Sequence, residues 1–111
     1  MNMKKLITTA FLLIALANVS YGQDFEETKA LAEQGHASAQ FNLGNMYANG
    51  EGVPQNNVRA YVWFSVAAAQ GLEESRTNRD IISERRLTPE QLALGQDIAT
   101  RCFESDYQDC E

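Results

Sequence analysis

Ala30-Leu-Ala-Glu-Gln-Gly35 and Val66-Ala-Ala-Ala-Gln-Gly71 lie 36 residues apart, and they decide the reading of the chain. On that offset Ala32, Gln34 and Gly35 fall on Ala68, Gln70 and Gly71, and Phe25 falls on Tyr61. A period of this length, closing twice on a glycine after an alanine-rich turn, is the mark of a repeated helix pair. Between the two copies, Ala39, Leu43, Met46 and Tyr47 form an apolar stripe at helical spacing from Ala37 to Asn49. Gly50 is placed to end that helix in a left-handed conformation, and Glu51-Gly52-Val53-Pro54 reads as a turn. A second helix is expected from Asn57 to Gln70, with Ala60, Trp63, Phe64, Ala67 and Ala68 facing one way. Gly44 and the alanines of this second helix are expected to let the two backbones approach closely.

Outward from this pair the pattern weakens. Glu73 to Arg86 reads as a more polar helix with Ile81 and Ile82, as expected of a cap facing solvent at the end of a stack. Thr88-Pro89-Glu90-Gln91 is a helix start: Thr88 as N-cap, Pro89 in the first position and Gln91 completing a capping box. The helix it opens carries Leu94, Ile98 and Cys102 in line, with Ala99 and Phe103 beside them. Asp24 to Gln34 is expected to be a short opening helix. The fold class is therefore all-α, a short α-solenoid of antiparallel helix pairs with four to five helices. Its full repeat covers about 36–71, and a two-helix C-terminal cap covers 73–105.

Ala32-Glu-Gln-Gly-His-Ala-Ser-Ala-Gln-Phe-Asn-Leu-Gly-Asn-Met-Tyr47, Gly50-Glu-Gly-Val-Pro54, Ala60-Tyr-Val-Trp-Phe64 and Ala67-Ala-Ala-Gln-Gly71 together resemble the Sel1-like repeat, a relative of the tetratricopeptide repeat. The segment from Asn78-Arg-Asp80 through Leu87-Thr-Pro89 to the two cysteines is similar to the C-terminal extension of small exported bacterial members. The resemblance implies a helical module that binds other proteins. Long members stack many repeats, whereas this chain carries one full copy.

Composition sets the compartment and the class of partner. Met1 to Lys5 is a short basic region, Leu6 to Val19 an uncharged and mostly apolar run, and Ser20-Tyr21-Gly22 supplies small residues for a cut before Gln23. This reads as a secretory signal peptide over 1–22, leaving a domain over 23–111 in the periplasm or outside the cell. Loss of Lys4 and Lys5 from nine basic residues against fifteen acidic ones moves the net charge from −6 to −8. Such a balance argues against nucleic acid and anionic membrane surfaces as partners, and leaves a protein or peptide.

Cys102 and Cys110 form an even pair that, in an exported chain, reads as a structural disulfide. On an unbroken helix their Cα atoms would stand about 12 Å apart, too far to bridge, so the chain must turn back near Ser105-Asp106. The spacing lacks the short arrangement of a redox-active pair, and no cysteine or histidine set suggests a metal. No cofactor is implied. The single histidine, His36, sits between two helices and reads as a loop residue. The mature chain's one lysine, Lys29, lacks the serine three residues before it that penicillin-recognising enzymes carry. Cysteine-rich relatives of the repeat linked to β-lactam chemistry carry paired cysteines inside each repeat; here the cysteines lie outside it. No catalytic residue is assigned, and the chain is expected not to be an enzyme.

Tyr47, Met46, Trp63 and Phe64 are expected in the core, and the acidic groups Glu73-Glu74 and Glu104, Asp106, Asp109 and Glu111 on solvated surfaces. The candidate binding residues are Asn42, Asn45 and Asn49, which with Ser38 fall within about 60° of one another on the first helix of the pair. An amide both donates and accepts, so this strip suits the main chain of an extended peptide. Two alternatives remain at this stage. One is a self-associating subunit of the cell envelope, joined through an unfinished apolar end at Phe25. The other is a small envelope hydrolase or β-lactam-binding protein.

Overall fold

The structure, a computed structural model, describes residues 21–111, with side chains from Asp24 onward. The expected leader lies outside these residues except for Tyr21 and Gly22. Five helices follow: α1 Tyr21–Glu33, α2 Ala37–Asn49, α3 Asn57–Ala69, α4 Glu73–Arg85 and α5 Pro89–Glu104. The fold is all-α and tetratricopeptide-like.

The 36-residue period is carried by the backbone itself. α1 and α3 start and stop 36 positions apart, and so do α2 and α4; each of the four has 13 residues. The hinges match as well. Gly35 and Gly71 adopt φ of 98° and 99°, a region glycine enters without steric cost. Gly35 and Gly71 donate to the carbonyls of Ala32 and Ala68, and the next residues, His36 and Leu72, donate to those of Leu31 and Ala67. His36 is thus the extended residue before α2, in the loop position expected of it.

α3 is the hub, packing against α2, α4 and α5, while α1 packs against α2. Its core is Trp63, Val62 and Ala60 with no exposure, and Phe64 at 1%. Leu43, Tyr47 and Ala39 of α2 meet it as the stripe requires, with Met46 only partly buried. Gly44 does allow close approach, but toward a ring rather than a backbone: a Cβ there would stand 2.6 Å from Phe64. Gly44→Ala is therefore expected to destabilise by about 1–3 kcal/mol through overpacking, outweighing the roughly 0.5–1 kcal/mol that alanine gains in a helix. A thermal melt unchanged or raised would contradict this packing.

α5 opens with the expected capping box, Thr88 accepting from the Gln91 main chain and Gln91 from that of Thr88. Its buried face keeps Ile98 and Cys102 of the expected stripe but not Leu94. Gly95, Ile98 and Cys102 are buried, whereas Leu94 is 51% and Phe103 56% exposed. The reason is Tyr61 of α3, whose ring lies 2.8 Å from where a Gly95 Cβ would be. α5 turns its smallest residue to that ring, and Leu94, one position earlier, rotates outward.

Cys102 and Cys110 are disulfide-bonded, with Cα atoms 4.3 Å apart. The reversal uses Asp106 and Tyr107, both at positive φ (57° and 66°). Ser105 organises it: its hydroxyl donates to the Cys102 carbonyl and accepts from the main chain of Gln108 and Asp109.

Candidate functional site

α2 and α4 occupy equivalent places in the repeat, and a cleft of about 160 Å3 opens between them. Phe64 of α3 lines it with Ile81 and Ile82 of α4; Asn45 and Asn49 come from α2, Asn78 from α4, and Arg86 from the residue after α4. Two of the three candidate asparagines thus share one cleft. Asn42 is exposed and lies outside its lining. Asn45 is half-buried and accepts from the Asn78 amide at 3.3 Å, while Asn49 is exposed and makes no side-chain hydrogen bond among the described residues. Asn78, Ile81 and Arg86 were not singled out from the sequence. The 36-residue offset could have found Ile81 and Asn78, because it lays them on Asn45 and Asn42.

The end of α2 is held firmly below this cleft. The Ala48 carbonyl accepts from Gln55 at 3.0 Å and from Arg86 at 3.2 Å, and the Tyr47 carbonyl from the Asn56 main chain. On the α1 side, fully buried Gln40 donates to the Ala32 carbonyl and accepts from Gln70, which also donates to the Gly35 carbonyl. The repeat's own Gln70 thereby ties α3 to the hinge before α2.

A second polar centre corrects the solvated-end expectation for Glu111. Its carboxylate meets Lys29 of α1 at 2.7 Å and Arg59 of α3 at 3.3 Å, and accepts from the Tyr47 hydroxyl of α2. Gln108 adds a bond to the Glu33 carbonyl at 2.9 Å. The tail therefore straps α1 to the repeat. Asp109 is also engaged, with Arg101 at 3.3 Å. Phe25 is buried, edge-on to Tyr47, whereas Leu31 of the same helix is 45% exposed.

Burial alone would raise the Glu111 pKa, but the hydrogen bonds from Lys29 and Tyr47 and the charges of Lys29 and Arg59 outweigh it and hold it below 4.5. Lys29 is raised, chiefly by its bond to Glu111. Tyr47 is raised first by burial, then by its bond to the carboxylate. The depressed carboxylate stabilises the fold fully above its unfolded value, and that contribution is lost as pH falls from 4.5 through the folded pKa. The raised Lys29 and Tyr47 contribute below their ordinary values, and their contributions are lost as pH rises above 10. Glu111→Gln is expected to lower the melting temperature at neutral pH and to flatten its fall as the pH drops below 4.5. An identical acid limb in wild type and variant would contradict the latch.

On the opposite side, Ser65, Val66 and Ala69 of α3 with Ala99, Thr100 and Phe103 of α5 line a shallower cleft of about 290 Å3. Among the described residues no group of three His, Cys, Asp or Glu could hold a metal, and no helix is long and apolar enough to cross a membrane.

Residues 37–72, the helix pair with its following hinge, match the family model described as Sel1 repeat. Such repeats are in general non-catalytic scaffolds for protein–protein interaction. The chain is also similar to an exopolysaccharide production negative regulator of Rhizobium meliloti (strain 1021), 42% identical over 48 residues, or 43% of this chain and 18% of that protein. A protein of the same description from Rhizobium leguminosarum bv. viciae is 42% identical over 55 residues, 47% of this chain and 21% of its own length. The chain thus spans about a fifth of the curated relatives it matches. No solved structure matches it significantly.

Proposed function

We propose that this protein is an exported, non-catalytic interaction module that binds a segment of a partner protein in the cleft between α2 and α4, with Asn45 and Asn49 as contacts and Asn42 at its margin. The observation that carries this reading is the cleft itself, where the unbonded Asn49 amide and the Asn45–Asn78 pair stand over an apolar floor. Amides of this kind pair with an extended main chain without demanding a charge. Residues 1–22 act as the leader, and the mature domain works in the periplasm or outside the cell, where its disulfide persists. An adaptor acts by binding, which accords with regulatory relatives; what those proteins control is not carried over to so short a match.

The test is affinity capture by the tagged protein and by a triple Asn42→Ala, Asn45→Ala, Asn49→Ala variant. The variant should lose the partner while melting within about 0.5–1.5 kcal/mol of wild type, the value of the Asn78 bond it gives up. Equal capture by both would sink the site. Self-association is the second reading, and exposed Phe103 beside the α3–α5 cleft favours it; a mass in solution that rises with concentration would support it.

A further inference from the structure

The lining of the α2–α4 cleft has a charge of one sign. In a chain with fifteen acidic and nine basic residues, the one ionisable group among the described residues lining it is Arg86. Lys29, Arg59, Arg76, Arg79 and Arg101 each meet a carboxylate, whereas Arg85 and Arg86 pair with none among the described residues, and of these two Arg86 is the one that lines the cleft. Nor does its single hydrogen bond exhaust it, because Nη1 donates to the Ala48 carbonyl and a guanidinium carries five N–H groups in a fork suited to carboxylate. The space also limits the occupant. At about 160 Å3 the cleft falls below the roughly 300–1,000 Å3 of sites that enclose a small-molecule ligand. Its floor of Phe64, Ile81 and Ile82 suits one aliphatic side chain.

We infer that the occupant is an extended segment of a partner protein with an aliphatic residue in the cleft and an Asp or Glu two positions away, held by Arg86. This rests on the reading of the α2–α4 cleft as the binding face. Alternate side chains of an extended segment share a face, so that spacing brings both groups into one cleft. Asn45, Asn49 and Asn78 then serve the main chain between them. Arg86 is the specificity determinant, and its acid partner offsets the repulsion that an acidic segment meets from the rest of the protein.

The test is a random-sequence peptide library, amidated at its C-termini so that carboxylates come only from side chains, panned on the full chain and on Arg86→Gln, Arg86→Lys and Asn49→Ala variants. The expected result is enrichment of peptides with the aliphatic–acid spacing. Replacing their acid by its amide should weaken binding about tenfold, the scale of one charge-assisted hydrogen bond. Arg86→Gln should erase that discrimination and Arg86→Lys should keep part of it. Gln55 also donates to the Ala48 carbonyl, so the end of α2 stays capped in both variants. Enriched peptides lost with Asn49→Ala but indifferent to their acid and to Arg86→Gln would overturn this inference and leave the binding face standing. No enrichment, or enrichment indifferent to both Asn49→Ala and Arg86→Gln, would overturn the two together.

Discussion

Replacing Trp63 by Ala should destabilise the protein by about 3–5 kcal/mol, the largest effect expected of any single substitution. Trp63 has no exposed surface and stands on α3, the helix against which α2, α4 and α5 all pack. Its loss opens a cavity that these helices cannot fill by moving, because Phe64 is already pressed to Gly44 and Tyr61 to Gly95. A domain of this size has roughly 5–13 kcal/mol in total. At about 4–8 °C for each kcal/mol, the melt should fall by tens of degrees or vanish. Trp63→Phe should lose far less: it keeps a ring in the site, and the indole Nε1 has no hydrogen-bond partner among the described residues to leave behind. A cooperative melt of Trp63→Ala near the wild-type temperature would show that α3 is not the hub.

Cys110→Ser should cost about 2–3 kcal/mol from the freed loop of the unfolded chain. The native state loses something further. Cys110 is 5% exposed and sits one residue before Glu111, which binds Lys29, Arg59 and Tyr47. Without the bridge the Glu111 contacts must also overcome the entropy of ordering the tail, and the latch is largely undone. The two effects should therefore be coupled: Glu111→Gln should lower stability in the bridged protein and do little in the Cys110→Ser background. Strict additivity in that double-mutant cycle would mean that the disulfide acts on the unfolded chain only.

The repeat was legible because its determinants are local. The glycine hinges, the capping box and the stripe of α2 each follow from a few neighbouring residues, and the 36-residue offset tied them together. The tail was not. Glu111 is 64 positions from Tyr47 and its partners lie on three helices, so nothing near it in the chain distinguishes it from a solvated acid. Gln40 was passed over for the same reason, since a buried amide is recognised only once the Ala32 carbonyl and Gln70 are beside it. For α5 the expected stripe holds at Ile98 and Cys102 and fails at Leu94, because Tyr61 selected Gly95 in its place. At the candidate site, Asn45 and Asn49 were legible as one helical strip, but the α4 side of the cleft needed the helices brought together.

The central claim is that partners bind between α2 and α4, and crosslinking in the native cell tests it most directly. A photoreactive residue is placed at Asn49 in that cleft, and in a separate protein at Thr100 on the α3–α5 side. The account predicts a partner protein trapped from position 49 and none from position 100. Products formed from position 100 alone, or only between copies of this chain, would contradict it.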